Sequence, residues 1–256
     1  MAPANKNERI PGPALTLLLV DSELELVPKE YWSHPAVVQN ARKRKKKPSM
    51  VLLDSSLHHS IFRDKEEKNR RGRPDIVHQF LLLGLDSILN TQGRLSLFVH
   101  TRNDELVVVD PATRLPKNYN RYSGLFEELF NTGSVPAGSD PLIRLLRNMD
   151  LRSSVDHILS ASPVGRDLTR IILLHPDGDR TESWEAFGQL IGHENAEHVI
   201  CLVGGFSSGD LRSSLEGIPD RRIALPGGTL KVWTVVSELL VGFRAGITGS
   251  RTSEGA

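Results

Sequence analysis

The chain has 256 residues with 39% hydrophobic and 25% charged side chains and a net charge of +1, which is typical of a globular protein with a sizeable core. No apolar run approaches the roughly 18–20 residues needed to span a bilayer, and residues 1–13 contain no signal-peptide core. Cys201 is the only cysteine, which excludes an internal disulfide, and the histidines lack the spacing of metal ligands, so we expect a cytoplasmic protein without a metal.

The first half of the chain is predicted to contain short strands, one buried helix and a hairpin. Residues 15–20 are almost wholly apolar and are followed by charges, which is typical of a buried strand. Pro74 fits the first turn of a helix, where its missing N–H has no partner. In chain order the predicted elements are strands at 15–20 and 50–53, a helix at 76–89, a β-hairpin at 93–99 and 105–109, and a helix at 125–130. The mixed charges of residues 61–71 predict a loop, to which we assign no role.

Strands and helices alternate in the C-terminal third. Strands are predicted at 170–174, 198–203 and 222–225, and helices at 184–191 and 232–243. Strands separated by helix-length connections imply a parallel sheet with helices on its faces, so the fold class is α/β. We expect a single domain at 14–248 between flexible tails at 1–13 and 249–256.

Charge is unevenly distributed along the chain. Residues 29–123 contain 18 Lys and Arg against 10 Asp and Glu, a balance of +8 that leaves −7 for the remainder. Residues 42–47 are six consecutive cations followed by a proline. Such a run can be a solvated helix end, but mutual repulsion of the charges favours contact with a phosphate backbone. The pattern indicates an anionic partner, and a nucleic acid is favoured over an acidic protein.

Two motifs in this basic part combine cations with a carboxylate. Arg73 and Asp75 lie at the predicted start of the helix at 76–89. A row of cations follows some forty residues later, at Arg114, Lys117 and Arg121. A row of cations can bind a polyanion, and a carboxylate beside it can accept or donate one proton.

These residues also have purely structural interpretations. Asp75 can be stabilised by the helix dipole without any chemistry. Tyr119 and Tyr122 can stack on bases or pack at helix edges, and the sequence does not decide between the two. The arginines can form surface ion pairs, each worth about 0–1 kcal/mol, with Asp104, Glu127 or Glu128.

Two glycine-containing turns follow strands of the C-terminal third. The first contains Gly204, Gly205 and Gly209, which leave backbone N–H groups open to a ligand. It matches neither the phosphate-binding loop nor the dinucleotide-binding fingerprint, so on its own a tight surface turn is the favoured interpretation. The second is a Gly-Gly turn between Leu225 and Leu230, two residues that can also be simple core leucines.

Together these segments closely resemble the ribosomal RNA methyltransferases that modify nitrogen-1 of pseudouridine in the small subunit, which belong to the trefoil-knotted SPOUT class. The resemblance covers about residues 15–246. It is most specific at 73–75, at 114–117 and at 120–124.

The resemblance implies a fold, a cofactor and partners. The expected fold is a SPOUT-type parallel sheet with helices on both faces, a C-terminal trefoil knot and an inserted β-hairpin and helical extension. Residues 29–123 would face small-subunit ribosomal RNA, and 198–245 would form a knot that binds S-adenosylmethionine. A homodimer is also implied, because enzymes of this class complete their sites across a two-fold interface.

The resemblance also implies site residues. For the cofactor these are Gly204, Gly205, Gly209, Leu225 and Leu230. For the RNA they are Arg73, Asp75, Arg114, Lys117 and Arg121. Lys117 stands where the family can have arginine, which makes a bidentate phosphate contact there doubtful.

For catalysis we expect Asp75, supported by Arg73, to orient or accept the proton of pseudouridine nitrogen-1. Alternatively, Asp75 only fixes Arg73 and the flipped base while the proton goes to solvent. Two other functions stay open: a knotted RNA-binding ribosome assembly factor with dispensable catalysis, and a methyltransferase of the same class that acts on transfer RNA.

Overall fold

The computed structural model describes residues 12–62, 66–162 and 164–253, and the fold is built around strand β1, Ala14–Ser22, all of whose residues are buried. The remaining strands are Leu95–Thr101 (β2), Glu105–Val109 (β3), Ser134–Val135 (β4), Ile143–Arg147 (β5), Thr169–Arg180 (β6), His198–Gly204 (β7) and Arg221–Ala224 (β8). The helices are Pro35–Lys43 (α1), Ser55–His58 (α2), Pro74–Leu85 (α3), Ile88–Thr91 (α4), Tyr119–Thr132 (α5), Leu151–Ser160 (α6), Ser183–Gly188 (α7) and Val232–Ser253 (α8).

All eight strands form one sheet in the order β4-β5-β3-β2-β1-β7-β6-β8. Five neighbouring strands of this sheet are parallel, as predicted: β2, β1, β7, β6 and β8. The other three strands extend the sheet in antiparallel fashion. The predicted hairpin is therefore confirmed as β2 and β3, but it belongs to the main sheet and is not part of an inserted extension.

Both faces of the sheet are covered, as predicted. Because strand side chains alternate between faces, Leu15, Leu17 and Leu19 of β1 join one core and Leu18 and Val20 join the other. Helices α3, α5, α7 and α8 pack on the first face, and α6 packs on the second. The segment between β1 and α3 forms a helical extension with a small core of its own, in which α1 packs on residues 51–62.

The predicted strand at 50–53 is wrong. Residues Pro48–Met50 form a 3-10 turn. Residues 51–53 pair with 25–27 only as an isolated antiparallel bridge between Leu52 and Leu26, with one backbone hydrogen bond on each side of it. The backbone N–H of Leu52 donates to the carboxylate of Glu127 at 3.1 Å, so this donor is not available to a strand ladder.

Several predicted helices are confirmed with different bounds. The helix at 76–89 is interrupted after Leu85 because Ser87 caps a new helix, α4, by accepting from Asn90 N–H. The helix at 125–130 is α5, which is longer because Asn118 caps its start and Gly133, at φ 83°, ends it. The helix at 184–191 is α7, followed by a π-helical turn at Gln189–His193.

The elements that were not predicted from the sequence include strands β4 and β5 and helices α2 and α6. The C-terminal segment was predicted to be a flexible tail, but α8 continues to Ser253, and residues 254–256 lie outside the described part. Most of the predicted N-terminal tail, residues 1–11, also lies outside the described residues. No helix among the described residues is both long and apolar enough to cross a membrane.

Candidate active site

A cavity of about 510 Å³ lies where β6, β7 and β8 end. Ligands of open parallel sheets bind beyond the carboxyl ends of the strands, so this is the expected place for a site. Both predicted glycine turns line the cavity, one after β7 and the other after β8. The start of α3 also lines it, with Arg73 and Ile76.

The first glycine turn contributes Gly204 and Gly209 to the cavity wall. Gly209 has φ +85°, a backbone conformation that residues with a Cβ rarely adopt. Gly205 does not line the cavity. A Cβ on Gly205 would lie 2.8 Å from Ser22 Cα and 3.0 Å from Leu19 Cγ, so packing on β1 requires a glycine there. Its predicted cofactor contact stays a prediction.

The second glycine turn contributes Leu225, Leu230 and, between them, Gly228 to the cavity wall. Leu225 is buried and Leu230 is half-buried, and together they make this wall apolar. Gly227 and Gly228 have φ values of +103° and +75°, which the chain needs to turn from β8 into α8.

Several residues of the cavity wall were not predicted. The pairing of β6 with β8 is interrupted after Leu174, since Leu174 and Asp179 both pair with Ile223. The residues between them bulge out of the sheet, and His175 in this bulge lines the cavity. His175 Nε2 lies 3.0 Å from Asp210 Oδ1. Hydrogen bonds from Leu211 N–H and from His175 lower the pKa of Asp210. No sequence pattern marks this pair.

Arg73 lies at the boundary between the cavity and the start of α3. Its Nε and Nη2 atoms donate to the two carboxylate oxygens of Asp75, each at 2.8 Å. This bidentate pair raises the pKa of Arg73. Asp75 does not line the cavity, and its side chain is 45% exposed, so one edge of the pair faces solvent.

A clamp behind the first glycine turn was also not predicted, because residues 61–71 were assigned no role. Arg70 donates from Nε to buried Glu23 at 2.6 Å and from Nη1 to the carbonyl of Asp210 at 2.6 Å. Its guanidinium lies 4.0 Å from the centre of the Phe206 ring, and Phe206 lines the cavity. Glu23 also binds Arg102 at 2.5 Å. The clamp therefore joins the residue that follows β1, the segment before Arg73 and the first glycine turn.

The predicted row of cations lies at the start of α5. The side chains of Arg114 and Arg121 are exposed and form no hydrogen bond or ion pair with other described residues, whereas Lys117 Nζ lies 3.6 Å from Asp86. The carboxylates that could pair with these arginines at the surface do not do so. Asp104 Oδ1 lies 3.5 Å from His100 Nε2, and Glu127 is buried and binds Arg44 and Lys46.

Helices α3 and α5 hold this row beside Arg73. His78, three residues after Asp75, contacts the carbonyl of Pro116 at 2.8 Å and stacks on Tyr122 at 4.2 Å. Tyr122 is fully buried, so its structural interpretation is correct and base stacking is excluded in this arrangement. Tyr119 donates to Asp54 at 2.6 Å, and burial together with this hydrogen bond raises the pKa of Tyr119.

The described residues contain no group of three or more His, Cys, Asp or Glu side chains that could hold a metal ion. Cys201 is buried in β7, and burial raises the pKa of its thiol. The cavity offers backbone groups, apolar side chains, the cations Arg73 and Lys231, and the His175–Asp210 pair as contacts for a bound molecule.

Comparisons with known proteins agree on one family. A family model described as EMG1/NEP1 methyltransferase matches residues 17–244. The chain is 44% identical over 229 residues to a protein of Thermococcus onnurineus named ribosomal RNA small subunit methyltransferase Nep1, covering 90% of this chain and 97% of that one. A protein of the same name from Methanothrix thermoacetophila is 43% identical, with 90% of this chain and 95% of that one covered.

A solved structure is also similar. It is the crystal structure of Archaeoglobus fulgidus Nep1 bound to S-adenosylhomocysteine, with a TM-score of 0.73 and 34% identity over 91% of this chain and 98% of that one. The similarity thus extends over the whole sheet and both glycine turns. The chain belongs to the EMG1/NEP1 methyltransferase family.

Proposed function

We propose that this protein transfers a methyl group from S-adenosylmethionine to nitrogen-1 of a pseudouridine in small-subunit ribosomal RNA. The observation that carries the proposal is the position of Arg73, which lines the same cavity as both glycine turns and also begins the basic surface of α3 and α5. The names of the relatives support ribosomal RNA of the small subunit as the substrate. S-adenosylhomocysteine in the Archaeoglobus fulgidus structure supports the cofactor.

The residues of the cavity fit this cofactor. Its volume of about 510 Å³ lies within the usual range for small-molecule pockets, roughly 300–1,000 Å³. Leu225 and Leu230 provide apolar walls, and Gly204, Gly209 and Gly228 expose backbone without a Cβ. Bound S-adenosylmethionine would supply a methyl group that its sulfonium charge already activates.

We assign Arg73 and Asp75 to the acceptor. Nitrogen-1 of pseudouridine carries a hydrogen, and it becomes a good nucleophile when this proton leaves. In the proposed reaction the Asp75 carboxylate accepts the proton, directly or through a water molecule, as the nitrogen takes up the methyl group. Arg73 holds the carboxylate in one orientation with two hydrogen bonds and leaves its exposed edge toward solvent.

The alternative role of Asp75 uses the same geometry. In it, Asp75 only orients Arg73, which contacts the RNA, and the proton goes to solvent. A base typically contributes about 10²–10⁴-fold to a rate, whereas orientation of two reactants contributes up to roughly 7–11 kcal/mol. Both roles require the target base to leave its stack, which is cheapest in a loop of the RNA.

The row at Arg114, Lys117 and Arg121 is proposed to bind the RNA backbone next to the extruded base. The guanidinium groups of Arg114 and Arg121 are exposed and unpaired among the described residues, and each can bind a phosphate with two parallel hydrogen bonds. Lys117 is 83% exposed and forms only a loose pair with Asp86, so it can contribute a point charge. The proposed RNA surface thus lies within residues 29–123.

A homodimer is the proposed assembly. An exposed stripe on α8 contains Trp233 and Val241, and Val241 is 62% exposed. Trp184 on the adjacent α7 is 52% exposed. Because Trp233 also lines the cavity, a partner that covers this stripe would complete the site. The trefoil knot over 198–245 stays a prediction, as does a cytoplasmic location.

The test is methyl transfer from labelled S-adenosylmethionine to two small-subunit hairpins that differ only in a loop uridine or pseudouridine. We expect labelling of the pseudouridine hairpin alone, with the methyl group on nitrogen-1. Equal labelling of the uridine hairpin contradicts the proposed acceptor. A transfer RNA as the better substrate, or cofactor binding without any transfer, favours one of the two alternative functions.

A further inference from the structure

The six cations of residues 42–47 fall into two groups in the structure. Arg44 and Lys46 bind Glu127 of α5, with N–O distances of 2.5 and 2.6 Å. The other four, here called the exposed quartet, lie at the protein surface and form no ion pair with any described residue. The exposed quartet consists of Arg42, Lys43, Lys45 and Lys47.

Glu127 fixes the position of the run on the molecule. Its carboxylate is fully buried and also accepts the backbone N–H of Leu52 at 3.1 Å. A buried carboxylate is costly unless it is paired, so Arg44 and Lys46 are held in place. Helix α1, which ends in the run, is anchored by Val37 and Ala41 in the small core of the extension. The exposed quartet is therefore attached to a rigid part of the surface.

Arg44, in the middle of the run, approaches α5 about one helical turn from Arg121. Arg44 Nη2 lies 4.0 Å from the position that a Cβ on Gly124 would occupy. Gly124 follows Arg121 by three residues, so the two lie on the same face of α5, roughly 5–6 Å apart. The surface charge thus continues from the row at Arg114, Lys117 and Arg121 to the end of α1.

We propose that the exposed quartet binds the phosphate backbone of the RNA stem that flanks the modified base. This inference rests on the proposed function, because it extends the RNA surface that begins at Arg73. Four like charges without carboxylate partners among the described residues repel one another. Binding to phosphates relieves this repulsion and releases counterions from the RNA. Residues 42–47 include no apolar side chain, although surfaces that bind membranes combine cations with apolar residues.

The test compares RNA binding by the wild type and by the variant Lys43→Gln/Lys47→Gln. The probe is a fluorescent small-subunit hairpin whose stem is lengthened by one helical turn, titrated at several KCl concentrations. We expect the log–log dependence of affinity on salt to become shallower by about 1.5 and the affinity at low salt to fall roughly tenfold. Circular dichroism checks that the variant folds.

The matched control is Arg144→Gln/Arg152→Gln, which removes two charges from β5 and α6 on the other side of the sheet. We expect its salt dependence to match the wild type. If the Lys43→Gln/Lys47→Gln variant binds the RNA with wild-type affinity and wild-type salt dependence, the proposal is overturned. An equal loss of RNA affinity in the control variant would overturn it as well. A loss seen only with phosphatidylserine vesicles, and not with RNA, would overturn it in favour of a lipid surface.

Methyl transfer by the wild type separates this inference from the proposed function. If the wild type methylates no RNA, the proposed function fails whatever the exposed quartet binds. If the wild type methylates the pseudouridine hairpin and the variant binds the lengthened hairpin unchanged, only the inference about the exposed quartet fails.

Discussion

Arg73 connects the two halves of the proposed site. Its side chain lines the cavity together with the glycine turns, and it donates two hydrogen bonds to Asp75 in the first turn of α3. Pro74 between them fixes the local geometry of the first helical turn, and the backbone N–H of Arg73 donates to the carbonyl of Glu23 at 3.0 Å. The pair is thus held by the backbone as well as by its own hydrogen bonds.

Asp75→Asn tests the assignment of the base. Asparagine retains one oxygen that can accept from Arg73, but it cannot take up a proton at neutral pH. We expect single-turnover methyl transfer at saturating RNA and cofactor to fall by about 10²–10⁴-fold, with RNA affinity changed much less. A rate near that of the wild type would show that Asp75 only orients Arg73.

Arg70→Lys tests the clamp behind the first glycine turn. Lysine cannot bind Glu23 and the carbonyl of Asp210 at the same time in the fixed geometry of a guanidinium. We expect the affinity for S-adenosylhomocysteine, measured by calorimetry, to fall by about tenfold, which corresponds to losing roughly one hydrogen bond to a charged group. The control is Arg71→Lys, because Arg71 binds Glu25 and does not contact the glycine turn. Equal losses in the two variants would contradict a specific role of Arg70.

At the scale of single residues, the cavity residues that could be predicted are those in the segments that carry the family resemblance. Arg73, Gly204 and Gly209 belong to motifs of the family and lie on the cavity, whereas Gly205 belongs to the same motif and packs on β1. Arg70 was not predictable in this way, because its partner Asp210 lies 140 residues away in the chain. Such contacts depend on tertiary structure and leave no local pattern.

The contact between helices α3 and α5 sets the spacing between Arg73 and the row of cations at the start of α5. His78 of α3 stacks on Tyr122, and Tyr122 in turn packs on Phe126 at a ring distance of 4.5 Å. The hydroxyl of Tyr122 is buried and has no hydrogen-bond partner in the described part of the protein. Its ring thus stabilises the contact and its hydroxyl does not.

Tyr122→Phe is therefore expected to be neutral or stabilising. Removal of an unsatisfied buried hydroxyl avoids its desolvation cost, so the free energy of unfolding should stay unchanged or rise by up to about 1 kcal/mol in urea denaturation. Methyl transfer should remain at the wild-type rate. A destabilised variant would indicate that a bound water satisfies the hydroxyl, and a loss of RNA affinity alone would indicate a contact with the RNA.

At the scale of elements, regular apolar patterns were sufficient to predict a strand or helix, whereas patterns mixed with charged residues were not. The hairpin β2–β3 and the strand β7 follow from period and turn residues. Strand β5 has the sequence Ile-Arg-Leu-Leu-Arg, whose alternation is too short and too charged to be distinctive. The predicted strand at 50–53 has a suitable pattern, but the buried Glu127 takes the backbone donor of Leu52.

The stability of the whole molecule should depend on pH through two buried histidines. Burial lowers the pKa of His58 and of His100 below their ordinary value of 6.5. The unfolded chain therefore binds more protons than the folded chain as the pH falls through this value, and the free energy of unfolding decreases. It should be nearly constant above about pH 7.5 and fall below, by at most about 1.4 kcal/mol per pH unit for each histidine.

Urea denaturation between pH 8 and pH 5.5 measures this dependence. In the wild type, Nδ1 of His58 accepts from Asp54 N–H, and Nδ1 of His100 accepts from Asp21 N–H. The side-chain oxygens of the variant His58→Asn/His100→Asn can accept from the same N–H groups. We expect this variant to lose most of the slope. A slope equal to that of the wild type would assign the effect to other groups.

At the scale of the whole molecule, the sequence predicted a parallel α/β sheet covered on both faces, and the structure confirms this for β2, β1, β7, β6 and β8. The antiparallel edge formed by β3, β5 and β4 was only partly predicted. Strand order depends on long-range pairing, which periodicity does not encode. The resemblance to a known family therefore contributed more to the predicted site than did any local pattern.

The most direct test of the account is a structure of the protein with S-adenosylhomocysteine and a small-subunit pseudouridine hairpin. We predict that the cofactor product lies in the cavity between Gly209 and Leu230, and that nitrogen-1 of an extruded base lies between its sulfur and the Arg73–Asp75 pair. A cofactor product bound elsewhere, or a base held away from Arg73, would contradict the account.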